Sequence, residues 1–120
     1  MAKTQIDPED FLPLTPAVFH VLLAISDGER HGYAIMQEIA ESTGGRMKMG
    51  PGTLYGTIKR LLEAQLIEES DERPVAELDD ARRRYYKLTR LGRTVLELEC
   101  ERLQEMVKMV QRKRRQEAYQ

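Results

Sequence analysis

Gly50-Pro51-Gly52-Thr53-Leu54-Tyr55-Gly56-Thr57-Ile58-Lys59-Arg60-Leu61-Leu62-Glu63-Ala64 has the cleanest helical periodicity in the chain. Pro51 lacks an amide hydrogen and has φ already near the helical value, so it suits the first position of a helix. At about 100° per residue, Leu54, Ile58, Leu61 and Leu62 gather on about a third of the helical circle. That face is made to be buried. The opposite face holds Gly52, Gly56, Lys59, Arg60 and Glu63, with Tyr55 at its margin. Each glycine costs a helix about 1 kcal/mol against alanine. Glycines on an outer face make sense where another surface must come close to the backbone, the first indication of a binding surface.

Upstream of this segment two further helices are legible. Thr15-Pro16 supplies a capping hydroxyl followed by proline, and a helix runs from there to about Ser26, where Asp27-Gly28 stops it. Val18, Val21, Leu22 and Ile25 make it a core helix. An extended piece, Gly28 to His31, leads to a second helix from about Tyr33 to Ser42, with Met36, Ile39 and Ala40 inward and Thr43-Gly44-Gly45 as its end. Tyr33, like Tyr86 further on, reads as a core tyrosine with its hydroxyl at the surface. A basic loop, Arg46 to Met49, connects the second helix to the third.

Downstream, Leu66 to Ser70 and Arg84 to Thr89 read as an antiparallel hairpin, with Ile67, Tyr86 and Leu88 at alternating apolar positions. Thr89 then caps a long helix from Arg90 to about Arg115. Within it Leu96, Cys100, Leu103, Val107 and Val110 follow the 4,3,4,3 spacing of a coiled-coil seam. Leu91, Val95, Leu98, Met106 and Met109 widen that seam beyond half the circumference. A helix lying on its own domain needs an apolar stripe of only about 100°. The excess predicts a second copy of the chain as partner, with Leu96, Cys100, Leu103, Met106, Val107 and Val110 at the interface. The expected organisation is an arm (1–13), a body (14–89), a dimerisation helix (90–115) and a tail (116–120).

The 120 residues suit one domain, and 41% hydrophobic with 32% charged is ordinary globular composition. No apolar run reaches the roughly 18 residues of a membrane span. Met1 to Gln5 lack the apolar stretch of a secretion signal, and the lone Cys100 forms no internal disulfide; a cytoplasmic protein is expected. Net charge is −1, but the charges are sorted. Gly44 to Leu62 carries Arg46, Lys48, Lys59 and Arg60 with no acid. Glu63 to Asp80 is acidic apart from Arg73, and Arg82, Arg83, Arg84, Lys87, Arg90 and Arg93 then stand without an acid. Such blocks can build a basic face on a neutral protein.

Three helices, a tight basic connection before the third, a hairpin and a long helix are the parts of a winged helix-turn-helix, mainly α with a small β wing. Its third helix would enter the major groove of duplex DNA, with Thr53, Tyr55, Thr57, Lys59 and Arg60 facing the bases and walls. The amides at Gly52 and Thr53 suit a phosphate oxygen, and Lys48 and Arg82, Arg83 and Arg84 fall where the two backbones would pass. Enzymatic chemistry lacks its parts: there is no phosphate loop, nucleophile elbow or His-nucleophile pairing. His20 and His31 have no ligand partners at metal spacing, so neither metal nor cofactor is expected. A protein-binding adaptor and a nonspecific nucleoid-type DNA binder are the alternative readings of the same architecture.

Leu12-Pro13-Leu14-Thr15-Pro16, His31-Gly32-Tyr33, Gly52-Thr53-Leu54-Tyr55 with Lys59-Arg60-Leu61, and Tyr85-Tyr86-Lys87-Leu88-Thr89-Arg90-Leu91-Gly92 together resemble the PadR family of transcriptional regulators. The resemblance runs from about Leu12 to Val110. It implies a winged-helix homodimer that represses promoters, with Thr53, Tyr55 and Lys59 on DNA, dimerisation through the last helix and often release by a small molecule. Gly56 replaces the proline common after that tyrosine. The chain has no Trp, so the tryptophan-lined drug site of some members does not carry over. A small apolar or aromatic effector would instead find Met106 and Met109, whose flexible thioethers adapt to varied shapes.

Overall fold

A computed structural model describes residues 6–70 and 84–118. Among these, a single 3₁₀ turn (Pro8–Phe11) precedes helices α1 (Pro16–Ala24), α2 (Gly32–Ser42), α3 (Pro51–Glu63) and α4 (Arg90–Ala118). Strand β1 (Arg30–His31) lies before α2, while β2 (Ile67–Ser70) and β3 (Tyr85–Leu88) lie between α3 and α4. The architecture is the expected one, mainly helical with a small sheet as wing.

Local chemistry sets the helix ends. The Thr15 hydroxyl accepts the Val18 amide at 3.2 Å, with Pro16 as the first residue of α1. His31 caps α2, its Nδ1 accepting the Ala34 amide at 3.1 Å; histidine is not among the preferred caps. Leaving α3, the Leu66 amide donates to the Leu61 carbonyl at 3.0 Å and the Gln65 amide to the Leu62 carbonyl at 3.1 Å. These are the two bonds of a Schellman motif, which needs a left-handed residue that here is Gln65 at φ +61°. The Thr89 hydroxyl then donates to the Gln65 carbonyl (2.6 Å) and accepts the Gly92 amide (3.0 Å). One side chain thus ties the start of α4 to the end of α3.

The core draws on all four helices and on β2 and β3. Val21, Leu22 and Ile25, Ile35 and Ile39, Leu54, Ile58 and Leu61, Leu66 and Ile67, Tyr86 and Val95 form one buried cluster. Each large apolar side chain stabilises the fold by about 1.5–3 kcal/mol on burial. Ile35, rather than Ala40, joins Ile39 at the centre of the α2 face, with Met36 and Ala40 half-buried. Tyr86 is 5% exposed, as expected, but Tyr33 is 56% exposed and does not belong to the core.

The sheet has three strands in the order β1-β3-β2, all antiparallel, where a two-stranded hairpin was expected. β3 pairs with β2 from Ile67↔Leu88 to Ser70↔Tyr85 and with β1 through Arg30↔Tyr86 and His31↔Tyr85. Two residues carry no readable alternation, so β1 exists only through its pairing. It fixes the start of α2 to the wing.

α4 packs on the 3₁₀ turn, α1 and β3 through its first half, where Gly92, Val95 and Glu99 are buried. Every described residue from Leu103 onward is exposed. Among the described residues, no helix is long and apolar enough to cross a membrane.

Candidate nucleic-acid interface

α3 is aimed by the turn before it. Gly44 and Gly45 take φ of +61° and +80°, a region that side chains resist. The Thr43 hydroxyl braces the turn by donating to the Ile39 carbonyl (2.8 Å) and accepting the Met47 amide (3.0 Å). Arg46 and Lys48 are exposed on this connection. At Gly50 there is no side-chain cap bond, and Pro51 has no N–H to offer. No cap side chain therefore covers the amides of Gly52 and Thr53, which lie at the positive end of the helix dipole.

The outer face of α3 presents Gly52, Thr53, Tyr55, Lys59 and Arg60 to solvent. A methyl built on Gly52 would meet nothing within 4 Å, and one on Gly56 would meet only the Arg60 guanidinium at 3.8 Å. Folding does not demand these glycines. Tyr55, 48% exposed, lays its ring against Gly32 at the start of α2, where an added methyl would fall 2.7 Å from the ring's Cζ. Thr57 corrects the sequence reading: it is fully buried, its hydroxyl donating to the Thr53 carbonyl at 2.8 Å and accepting from Arg60 at 3.3 Å. By angle it stands only about 40° from Leu61, and bonding to the carbonyl four residues back lets a threonine hydroxyl enter the core. Thr57 cannot face DNA.

On the wing, Arg84 pairs with Glu69 at 3.1 Å and Lys87 with Glu68 at 3.7 Å across the β2–β3 ladder. Both pairs are solvent-exposed and so weak, on the order of 1 kcal/mol or less. Arg84 remains at the surface, and Arg82 and Arg83 lie outside the described residues. Within β3 burial, then the neighbouring Glu69 and Tyr55, push the Tyr86 phenol above its ordinary range.

Residues 21–98 match the Transcriptional regulator PadR-like family. The chain belongs to the PadR-like family of transcriptional regulators. A relative named transcriptional regulator Rv3488, from Mycobacterium tuberculosis, is 35% identical over 91 residues, which is 76% of this chain and 78% of the relative. An uncharacterised 37.1 kDa protein in transposon TN4556 of Streptomyces fradiae is 41% identical over 80 residues. That alignment takes 67% of this chain but spans only 21% of the larger protein. The fold is also that of Bacillus subtilis PadR, solved in complex with operator DNA, at TM-score 0.57 and 22% identity over 71% of this chain and 46% of that one. The family is one of regulators, not enzymes.

In this PadR-like chain the expected dimer seam divides in two. Leu96 packs on the chain's own core, while Cys100 is exposed and Leu103, Met106, Val107 and Val110 are between 38% and 55% exposed. Met109 stands in solvent as well, at 51%.

Sequence reasoning missed Glu99, which borders the seam and is 2% exposed. Its carboxylate accepts the Leu14 amide at 2.8 Å and a forked pair of bonds from Arg102. Arg102's bonds, then the Leu14 amide, outweigh burial and hold the Glu99 carboxyl below the usual carboxylate range. This buried charge ties the segment just before α1 to α4. One Glu among several in a charged helix gave no sign of it.

Proposed function

We propose that the chain is a sequence-specific, double-stranded DNA-binding repressor that acts in the cytoplasm as a homodimer on a pseudo-palindromic operator. The observation that carries this is the outer face of α3. It is free of acid as far as Leu62, bare of side chain at Gly52, and flanked by Lys48, Lys59 and Arg60. A major groove about 12 Å wide admits one helix, and a bare Gly52 lets a backbone come close. Thr53, Tyr55 and Lys59 would read base edges. Lys48, the free amides at Gly52, Arg60, and Arg84 with Arg82 and Arg83 would hold phosphates. Bacillus subtilis PadR, which shares the fold, was solved with operator DNA.

The exposed half of α4 supports the dimer. Leu103, Met106, Val107 and Val110 form an apolar face that its own domain does not cover, and a second α4 related by a two-fold axis would bury it. Such a pair presents two α3 helices to half-sites about one helical turn, or a multiple of it, apart. A small apolar effector would have Met106 and Met109 to line its site.

The deciding experiment is a gel shift with the DNA upstream of the chain's own gene, in a salt series and against scrambled competitor. Specific, salt-dependent retardation supports the repressor. Equal affinity for both duplexes points to a nucleoid-type binder, and no binding to an adaptor.

A further inference from the structure

Tyr33, like Thr57 but in the opposite sense, stands where the sequence reading did not put it. It is a large aromatic on the second residue of α2, 56% exposed where a core tyrosine was expected. It is also held in place. Its ring lies parallel to the His31 imidazole, with centroids 6.5 Å apart and planes at 12°. That imidazole is itself fixed twice, by the Ala34 amide at 3.1 Å and by the edge of Tyr85 at 5.3 Å between centroids. β1 pins the backbone beneath, since His31 pairs with Tyr85 across the sheet.

The neighbourhood says what this ring faces. The preceding residue, Gly32, is the one on which Tyr55 of α3 rests its phenol. The exposed tyrosines of the two helices therefore flank one point of the α2–α3 junction. When α3 lies in a major groove, the helix before it crosses the sugar-phosphate backbone that borders the groove. Tyrosine hydroxyls are among the groups that hydrogen-bond phosphate oxygens there, and a ring locked on a rigid platform loses little freedom on binding.

We propose that Tyr33 is a backbone-positioning residue, its phenol hydroxyl donating to a DNA phosphate beside the groove that α3 enters. This rests on the DNA-binding reading of α3. The contact sets the register of α3 on the duplex but reads no base, and because the phenol is neutral it displaces no counterion.

The test is fluorescence anisotropy with an operator duplex and a scrambled duplex, over a salt series, for the parent protein, Tyr33→Phe and Tyr33→Ala. Phenylalanine keeps the stack on His31, so it removes the hydroxyl without disturbing α2; thermal melts matching the parent confirm this. The expected result is a loss of about fivefold, one neutral hydrogen bond, on both duplexes alike, with the slope of log affinity against log salt unchanged. Tyr33→Ala should lose at least as much. Unchanged affinity in Tyr33→Phe and Tyr33→Ala, while the parent binds, overturns the role of Tyr33 and leaves the reading of α3 intact. A loss confined to the operator overturns it too, by making Tyr33 a base reader. Failure of the parent to bind either duplex overturns the DNA reading itself, and this inference with it.

Discussion

Gly92, in the first turn of α4, lies hard against the backbone of Leu66. A methyl built on it would fall 2.9 Å from the Leu66 carbonyl carbon and collide with the oxygen. The same carbonyl accepts the Thr89 amide at 3.1 Å, so it cannot turn away. α4 can pass this close to the residue that leads into β2 because residue 92 has no side chain.

Gly92→Ala should therefore destabilise the protein by about 2–3 kcal/mol, the cost of overpacking a rigid contact. Gly52→Ala, in open space, should stabilise it by up to about 1 kcal/mol while weakening binding to DNA. Urea denaturation of the two variants checks the contrast. Equal effects on stability would show that neither glycine does what its surroundings imply.

Glu99 should make stability fall in acid. Its carboxyl is held below its ordinary value of 4.5. The stabilisation is complete above that value and drains away as pH drops through the lower folded value. Glu99→Gln keeps an acceptor for the Leu14 amide but leaves Arg102 unpaired. It should cost about 1–3 kcal/mol at pH 7, and the deficit should shrink towards pH 3. Urea midpoints of both proteins at pH 7, 4 and 3 measure this, and a deficit that is the same at all three removes Glu99 as the titrating group.

Leu103→Glu combined with Val107→Glu should give a folded monomer. Both side chains are exposed in the single chain, at 38% and 55%, so the change leaves the core alone. Light scattering at tens of micromolar, with circular dichroism for helix content, reads the result. A monomeric parent protein would end the dimer reading.

Phosphate and base contacts should separate by their salt behaviour. Lys48→Ala should weaken binding to all duplexes alike and flatten the log-affinity against log-salt slope by about one unit. Tyr55→Ala and Lys59→Ala should cost about 1–3 kcal/mol on the operator and much less on random DNA. Thr57→Val should leave DNA affinity unchanged, since that side chain is buried. If Tyr55→Ala and Lys59→Ala both bind operator like the parent, with the dimer intact, α3 is not the recognition helix.

The legible parts of this protein are those written in short-range chemistry. Pro16 and Pro51 open helices because a fixed φ and a missing donor suit a first turn. Gly44 and Gly45 end one because they alone accept left-handed backbone cheaply. The apolar period of Leu54, Ile58, Leu61 and Leu62 marks a buried face, and what remains outside it exposes Gly52, Tyr55 and Lys59. From those signals the order of the helices and the exposed face of α3 follow, and the spacing of Leu96, Cys100, Leu103, Val107 and Val110 gives the apolar surface of α4 in the same way.

What only the tertiary structure decided involves partners distant in sequence. β1 is a strand because Tyr85 and Tyr86 pair with it, not because Arg30 and His31 favour extension. Tyr33 is outside because what packs beside a residue outranks its type. Glu99 is buried because Leu14 and Arg102 together satisfy a charge that could not be buried alone. Gly92 is indispensable only because the Leu66 carbonyl occupies the space where its side chain would be. Each of these depends on a second segment arriving at the same place, which folding brings about and local sequence cannot announce.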